Sequence, residues 1–164
     1  MIFIRLAKIV MVAALAVFAF LVAYDNIVDY DSNYEFARHV LSMDTTFPGN
    51  ALKDRAITDP SVWQAAYAAI IAAEALTCLL LSIGLVIMLT RLRAPAAVFN
   101  RAKAWTVAGL TVGFCLWFFG FQVVAGEYLA MWQSHTWNGQ QAAFRFTMMI
   151  LGVLIFVSLP DSER

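Results

Sequence analysis

The sequence predicts an all-α membrane protein with four transmembrane helices in an antiparallel bundle, and three observations carry that prediction. The chain of 164 residues is 62% hydrophobic and only 13% charged, with a mean hydropathy of +0.75. Its 11 basic and 11 acidic residues are too few to coat a soluble domain of this size, whereas a lipid-facing bundle needs no such coat. The apolar residues gather in four runs, each long enough as a helix, at ~1.5 Å per residue, to cross a bilayer. A single membrane domain over 1–164 follows, with spans at 2–24, 61–92, 104–126 and 139–159 and an outer loop at 25–60.

The first run carries Arg5 and Lys8 near its start and has some of the form of a signal peptide. It is long, and Leu21, Val22 and Ala23 make a poor small-residue cleavage site, so it reads as a retained span. The loop after it is acidic, with Asp25, Asp29, Asp31, Glu35, Asp44, Asp54 and Asp59 set against Arg38, Lys53 and Arg55. Ser32 and Glu35 have the spacing of a capping box, and Phe36, Ala37, Val40 and Leu41 then recur at helical spacing. A short amphipathic helix is expected there. Asp44, Thr45, Thr46, Phe47, Pro48, Gly49 and Asn50 read as a structured turn, with Pro48 and Gly49 at the two central positions of a type II turn.

The second run has a marked start, because Asp59 can cap the first free N–H groups and proline is tolerated where Pro60 stands. Arg91, Arg93 and Pro95 mark its end. One acid, Glu74, interrupts it, at a cost of roughly 2.5 to 3.5 kcal/mol near the centre of a span, so it should face protein or water. Trp63, Tyr67, Ile70, Cys78 and Leu81 fall near the Glu74 meridian, and alanines at 65, 68, 69, 72 and 73 offer a smooth surface for another helix. The third run is flanked by Arg101 and Lys103, is rich in phenylalanine and tryptophan, and is interrupted by Gln122. Tyr128, Trp132, His135 and Trp137 then suggest an interfacial belt. The fourth run contains Arg145 and stops at Pro160.

The positive charges set the expected orientation. Arg5, Lys8, Arg91, Arg93, Arg101, Lys103 and Arg164 fall on one side, against Arg38, Lys53 and Arg55 on the other, which puts both termini in the cytoplasm. Counting up from that side places Glu74 about 24 Å above Thr90, Arg145 about 22 Å above Pro160, Asp25 about 25 Å above Lys8 and Gln122 about 28 Å above Lys103. Four polar groups from four spans thus share one level. Two readings stay open. Arg145 pairs with Glu74 or Asp25 while Gln122 fills the remaining hydrogen bonds, or the layer is a polar pocket that binds a small ligand or lipid headgroup or relays protons.

Catalytic chemistry has no motif behind it: there is no G-x-S-x-G elbow, no Gly-rich phosphate loop and no H-E-x-x-H. His39 and His135 lie in loops, so neither a bis-histidine haem nor a metal is expected, and no other cofactor is implied. Cys78 and Cys115 sit in apolar spans as small side chains rather than as a disulfide. No basic tract points to nucleic acid. The expected partners are the lipid bilayer and another integral membrane protein or a second copy.

The segment Phe36, Ala37, Arg38, His39, Val40, Leu41, Ser42, Met43, followed by the 44–50 turn, by Arg55, Ala56 and Ile57 and by the Glu74 span, resembles a bacterial family of predicted small four-helix integral membrane proteins of unknown function. The resemblance covers essentially the whole chain and implies a Gram-negative inner-membrane protein, with no activity or ligand attached. In length and orientation the chain is also similar to the small four-helix membrane subunit of tripartite solute transporters. The leading expectation is a non-enzymatic accessory or scaffold subunit of a larger membrane complex. The alternative is a binding or transport protein for a small ligand, lipid or proton that uses Glu74, Arg145, Asp25 and Gln122.

Overall fold

A computed structural model describes residues 2–162, so Arg164, counted above among the positive charges, lies outside the described residues. Six α-helices carry the chain: α1 (Ile2–Val28), α2 (Tyr30–Ser42), α3 (Pro60–Thr90), α4 (Ala96–Ala102), α5 (Ala104–Phe114) and α6 (Gln140–Ser158). From α5 the backbone runs on without a break into a π-helical segment, Cys115–Tyr128. No strand is present among the described residues. Four helical stretches are long and apolar enough to cross a membrane: Ile2–Val28, Pro60–Thr90, Ala96–Tyr128 and Gln140–Ser158.

The buried side chains of α1 are Arg5, Lys8, Ile9, Val12, Leu15, Ala16, Ala19 and Ala23, a stripe with the three-and-four spacing of a helix packed along one side. That stripe lies along α3. At one end the Arg5 Nη1 group donates to the carbonyls of Leu92 and Ala94 at 2.9 and 2.7 Å, and at the other the Tyr67 hydroxyl donates to the Asn26 carbonyl at 2.9 Å. These two ends are called here the terminal end and the loop end. The α3 start is built as its sequence suggests: Asp59 accepts from the Ser61 N–H at 2.8 Å, and Pro60 occupies the first turn.

Glycines fix how closely α3 and α5 approach. A Cβ on Gly84 would sit 2.2 Å from Thr106 Oγ1 and 2.6 Å from the Thr106 nitrogen, and one on Gly109 would sit 3.0 Å from Leu81 N. Gly113 faces Thr77 and Ile150 in the same way. Beyond Gly113 the seam ends. The π-helical segment touches α3 far less than α5 does, and Trp117 fills the junction against Phe18 and Phe146, with ring centroids 5.6 and 5.8 Å away. The spans are therefore tight toward the terminal end and spread toward the loop end.

The loops fold onto this spread end. Ser32 and Glu35 do not form the expected capping box: α2 begins earlier, at Tyr30, Ser32 donates to Asp29 and Glu35 binds Arg38 at 2.7 Å. The 44–50 turn takes the expected form, with Gly49 at φ +77° and the Asn50 N–H donating to the Phe47 carbonyl at 3.1 Å. The second loop meets it. Thr45 Oγ1 donates to Ser134 Oγ at 2.8 Å, the Phe47 N–H to Gln133 Oε1 at 3.1 Å, and Trp137 stacks on His39 with centroids 4.6 Å apart. Residues expected as a lipid-facing belt thus partly bind loop to loop: Phe47 meets Trp132 edge-on, and Arg55 lies over Tyr128.

Candidate functional site

Two buried polar clusters lie inside the bundle, one at each end. The cluster at the loop end is centred on Glu74, only 2% exposed on α3. Asn26 of α1 donates through Nδ2 to Glu74 Oε2 at 2.7 Å, and the Asn26 carbonyl and side-chain oxygens lie 2.9 and 3.4 Å from the Tyr67 hydroxyl. Tyr67 and Glu74 are seven residues apart, two turns of one helix face, so a single asparagine reaches both. Tyr30 and Tyr34 pack on the Tyr67 ring from α2.

Beside this trio lies a cavity of about 240 Å³, walled by Glu74, Asn26, Tyr67, Trp117, Phe121 and Phe146, with Asn33 at α2 and Gly139 at the foot of α6. Among the described residues lining it, none is a lysine or arginine, so the carboxyl group faces hydrogen-bonding and aromatic neighbours. A second cavity of about 270 Å³ shares four wall residues with it, Phe36, Ala37, Ile70 and Phe121. Its remaining wall is wholly apolar, from Val40 and Leu41 on α2 to Ala66 and Ala69 on α3 and Leu116, Gly120 and Val124 on the π-helical segment. Such walls offer few atoms to a charged group and many to a hydrocarbon chain.

Of the four residues expected in one polar layer, only Glu74 faces this space. Arg145 is exposed and has no hydrogen bond or ion pair among the described residues, so it pairs with neither Glu74 nor Asp25. The reason is azimuth: α6 buries Ala143, Thr147, Ile150, Val153 and Val157, and a residue two places from Ala143 points roughly 200° away from it. Its long side chain can instead reach along the surface toward water. Asp25 is exposed for the same reason, while its neighbour Asn26 continues the buried stripe. Gln122 is half-buried and donates to the Gln140 carbonyl at 2.6 Å, which ties the π-helical segment to the start of α6. The alanine surface of α3 is likewise uncovered by this chain: Ala65, Ala68, Ala69 and Ala72 are exposed, and Ala66 and Ala69 face the second cavity.

The second cluster, at the terminal end, has no counterpart in the sequence reading. Asp161 lies beyond Pro160, yet it is buried among Lys8, Lys103 and Arg5. Lys8 Nζ lies 2.8 Å from Asp161 Oδ2, Lys103 Nζ also binds Oδ2, and Arg5 Nε stands 3.8 Å from Oδ1. Both lysines donate to the Leu159 carbonyl, at 2.7 and 2.8 Å, so the cations also meet the carbonyl end of α6. Asn100 closes the ring by exchanging two hydrogen bonds with the Asp161 backbone. Burial alone would push the Asp161 carboxyl up; the hydrogen bonds from Lys103 and Lys8 outweigh it and hold the group below the usual carboxylate range. Phe99, fully buried, sits beneath Arg5 and Lys103 at 4.6 and 5.6 Å from its ring. Three cations thus meet one carboxylate, whose Oδ1, like Arg5 Nε, makes no hydrogen bond among the described residues.

The residues of the 44–50 motif hold the loops together, and Asp44, Thr46, Phe47, Pro48, Gly49 and Asn50 line a cavity of about 400 Å³ with Lys53. Asp44 accepts from His39 Nδ1 at 2.8 Å, Thr46 donates to the Met43 carbonyl, and Asn50 accepts from the Leu52 N–H. No group of three or more histidine, cysteine, aspartate or glutamate residues suited to a metal is found among the described residues, and both cysteines are free.

The model of a family described as predicted small integral membrane protein (DUF2165) matches residues 4–160. Neither a curated protein nor a solved structure matches the chain.

Proposed function

The chain belongs to this family of small integral membrane proteins, and on that premise we propose that it is a non-enzymatic binding protein of the bacterial inner membrane, with its site in the outer half of the bilayer. The observation that carries the reading is the cavity of about 240 Å³ with a buried carboxyl on its wall and no lysine or arginine among the described residues lining it. A carboxyl group held only for structure would be closed in by a partner, as Asp161 is. Glu74 has one asparagine and a space large enough for a small organic molecule. The orientation that goes with this reading has both termini in the cytoplasm and an antiparallel bundle whose folded loop caps the site on the far side.

The test is equilibrium uptake of labelled octylamine by the protein in nanodiscs, against protein-free discs of the same lipid. Saturable uptake near one per chain is expected, with loss in Ala142→Leu, which narrows the cavity from a position that is otherwise exposed. Uptake no greater than that of protein-free discs would overturn the reading.

One observation favours the accessory-subunit reading beside it. Ala65, Ala68 and Ala72 form an exposed small-residue face on α3, a surface on which a helix of another membrane protein could lie closely. Purification from native membranes in mild detergent distinguishes the two: a stoichiometric companion supports an accessory role, and a chain that runs alone contradicts it.

A further inference from the structure

The two cavities under α2 adjoin, and their walls differ in kind. Phe36, Ala37, Ile70 and Phe121 line both, so the two spaces share a wall. The first holds the hydrogen-bonding groups of Glu74, Asn26, Asn33 and Tyr67; the second holds none and runs between α3 and the π-helical segment, where the spans spread. α2 roofs both with the apolar side of an amphipathic helix, Ala37 and Val40 being buried, while Glu35 and Arg38 pair with each other away from it. It is fastened there by the bond from the Ile57 N–H to the Leu41 carbonyl at 2.8 Å and by the His39 stack on Trp137.

A chamber with four hydrogen-bonding side chains on an otherwise apolar wall and no lysine or arginine among the described residues lining it, beside a wholly apolar chamber, complements a molecule that is polar at one end only. Resting on the binding reading above, we propose that the occupant is a single-chain amphiphile whose head donates hydrogen bonds to Glu74 and whose hydrocarbon chain lies in the second cavity against Ala66, Ala69 and Gly120. An acceptor-only head, such as a fatty-acid carboxylate, meets the Glu74 carboxyl with like chemistry and is disfavoured. A short donor molecule fills only the first chamber and forgoes the apolar contact of the second. The alanines acquire a purpose on this account: along the second cavity a larger side chain would occupy the volume the hydrocarbon takes.

The experiment is photolabelling in nanodiscs with a decylamine that carries a diazirine midway along its chain, with the labelled peptides mapped by mass spectrometry. Label is expected within residues 66–70 and 116–124. Unlabelled decylamine should suppress it at a concentration at least tenfold lower than butylamine or decanoate requires. Ala69→Phe, at a position exposed enough to tolerate it, should abolish the chain-length preference, and Glu74→Gln should weaken competition by about tenfold or more, the loss of a hydrogen bond to a charged group. Label at the first cavity alone, indifferent to chain length and to Ala69→Phe, would overturn the two-chamber occupant while leaving a small-molecule site at Glu74. Label spread over lipid-facing residues such as Phe118 and Phe119, with no competition, would overturn both.

Discussion

The two ends of the bundle each bury acidic chemistry, and they treat it in opposite ways. At the terminal end Asp161 is met by two lysines and an arginine, the lysines also reach a helix-end carbonyl, and Asn100 holds the backbone on either side. At the loop end Glu74 has one uncharged side-chain partner and borders open volume. The first arrangement joins α1, the α4–α5 junction and the chain beyond α6. The second leaves room and withholds a countercharge, which is what separates a site from a brace.

Perturbing each end should expose that difference. Asp161→Leu should be the most damaging, because it leaves Lys8, Lys103 and Arg5 buried without their carboxylate; a loss of about 3 to 5 kcal/mol, read as detergent thermal stability, is expected, and Lys8→Met should cost less because Asp161 keeps Lys103 and Arg5. The double substitution should be milder than the sum of the two. Gly84→Ala should follow, at about 1 to 3 kcal/mol or more, since the added methyl meets the Thr106 backbone and α3 has to shift away from α5.

Acid should weaken the terminal end. Asp161 titrates below the ordinary carboxylate value near about 4, so its contribution is fully present above that value and is lost as pH falls through the lower value of the folded state. Melting curves from pH 6 down to pH 3 should therefore decline more steeply for the wild-type chain than for Asp161→Asn, already weakened at pH 6. Parallel curves would contradict the clasp. The smallest effect is expected at a residue that the sequence placed in the polar layer. Arg145→Leu should change stability by no more than about 0.5 kcal/mol and should add simply to Glu74→Gln, because the two side chains face different surroundings.

What the sequence disclosed here is depth, and what it withheld is azimuth. Hydropathy and charge locate the four apolar stretches, the Asp59 and Pro60 start of α3, the type II turn and the level of Glu74. At that level one residue of rotation decides everything, since ~100° separates Asp25 from Asn26. A signal was present: Val12, Ala16, Ala19 and Ala23 extend by three to Asn26, and Arg5, Val12, Ala19 and Asn26 lie seven apart on that face. Arg145 stands off the corresponding stripe of α6, which runs from Ala143 to Val157. Asp161 was illegible for another reason. Lys8 and Lys103 had a sufficient explanation as charges flanking spans, and nothing local indicates that the chain turns back after Pro160 to meet them. The cavities depend on how far helices spread, a tertiary outcome of Gly113, Trp117 and the π-helical turns that no single span encodes.

Glu74, and not the layer it was expected to share with Arg145, is the proposed ligand contact. The direct measurement is the melting temperature of the purified protein against decylamine concentration, for the wild-type chain, Glu74→Gln and Arg145→Leu. A ligand at 100 times its dissociation constant stabilises the folded state by about 2.7 kcal/mol. A saturating rise of equal size is expected in the wild-type chain and Arg145→Leu, with little or none in Glu74→Gln. A wild-type chain that does not respond, or a Glu74→Gln variant that rises as far as the wild type, would contradict it.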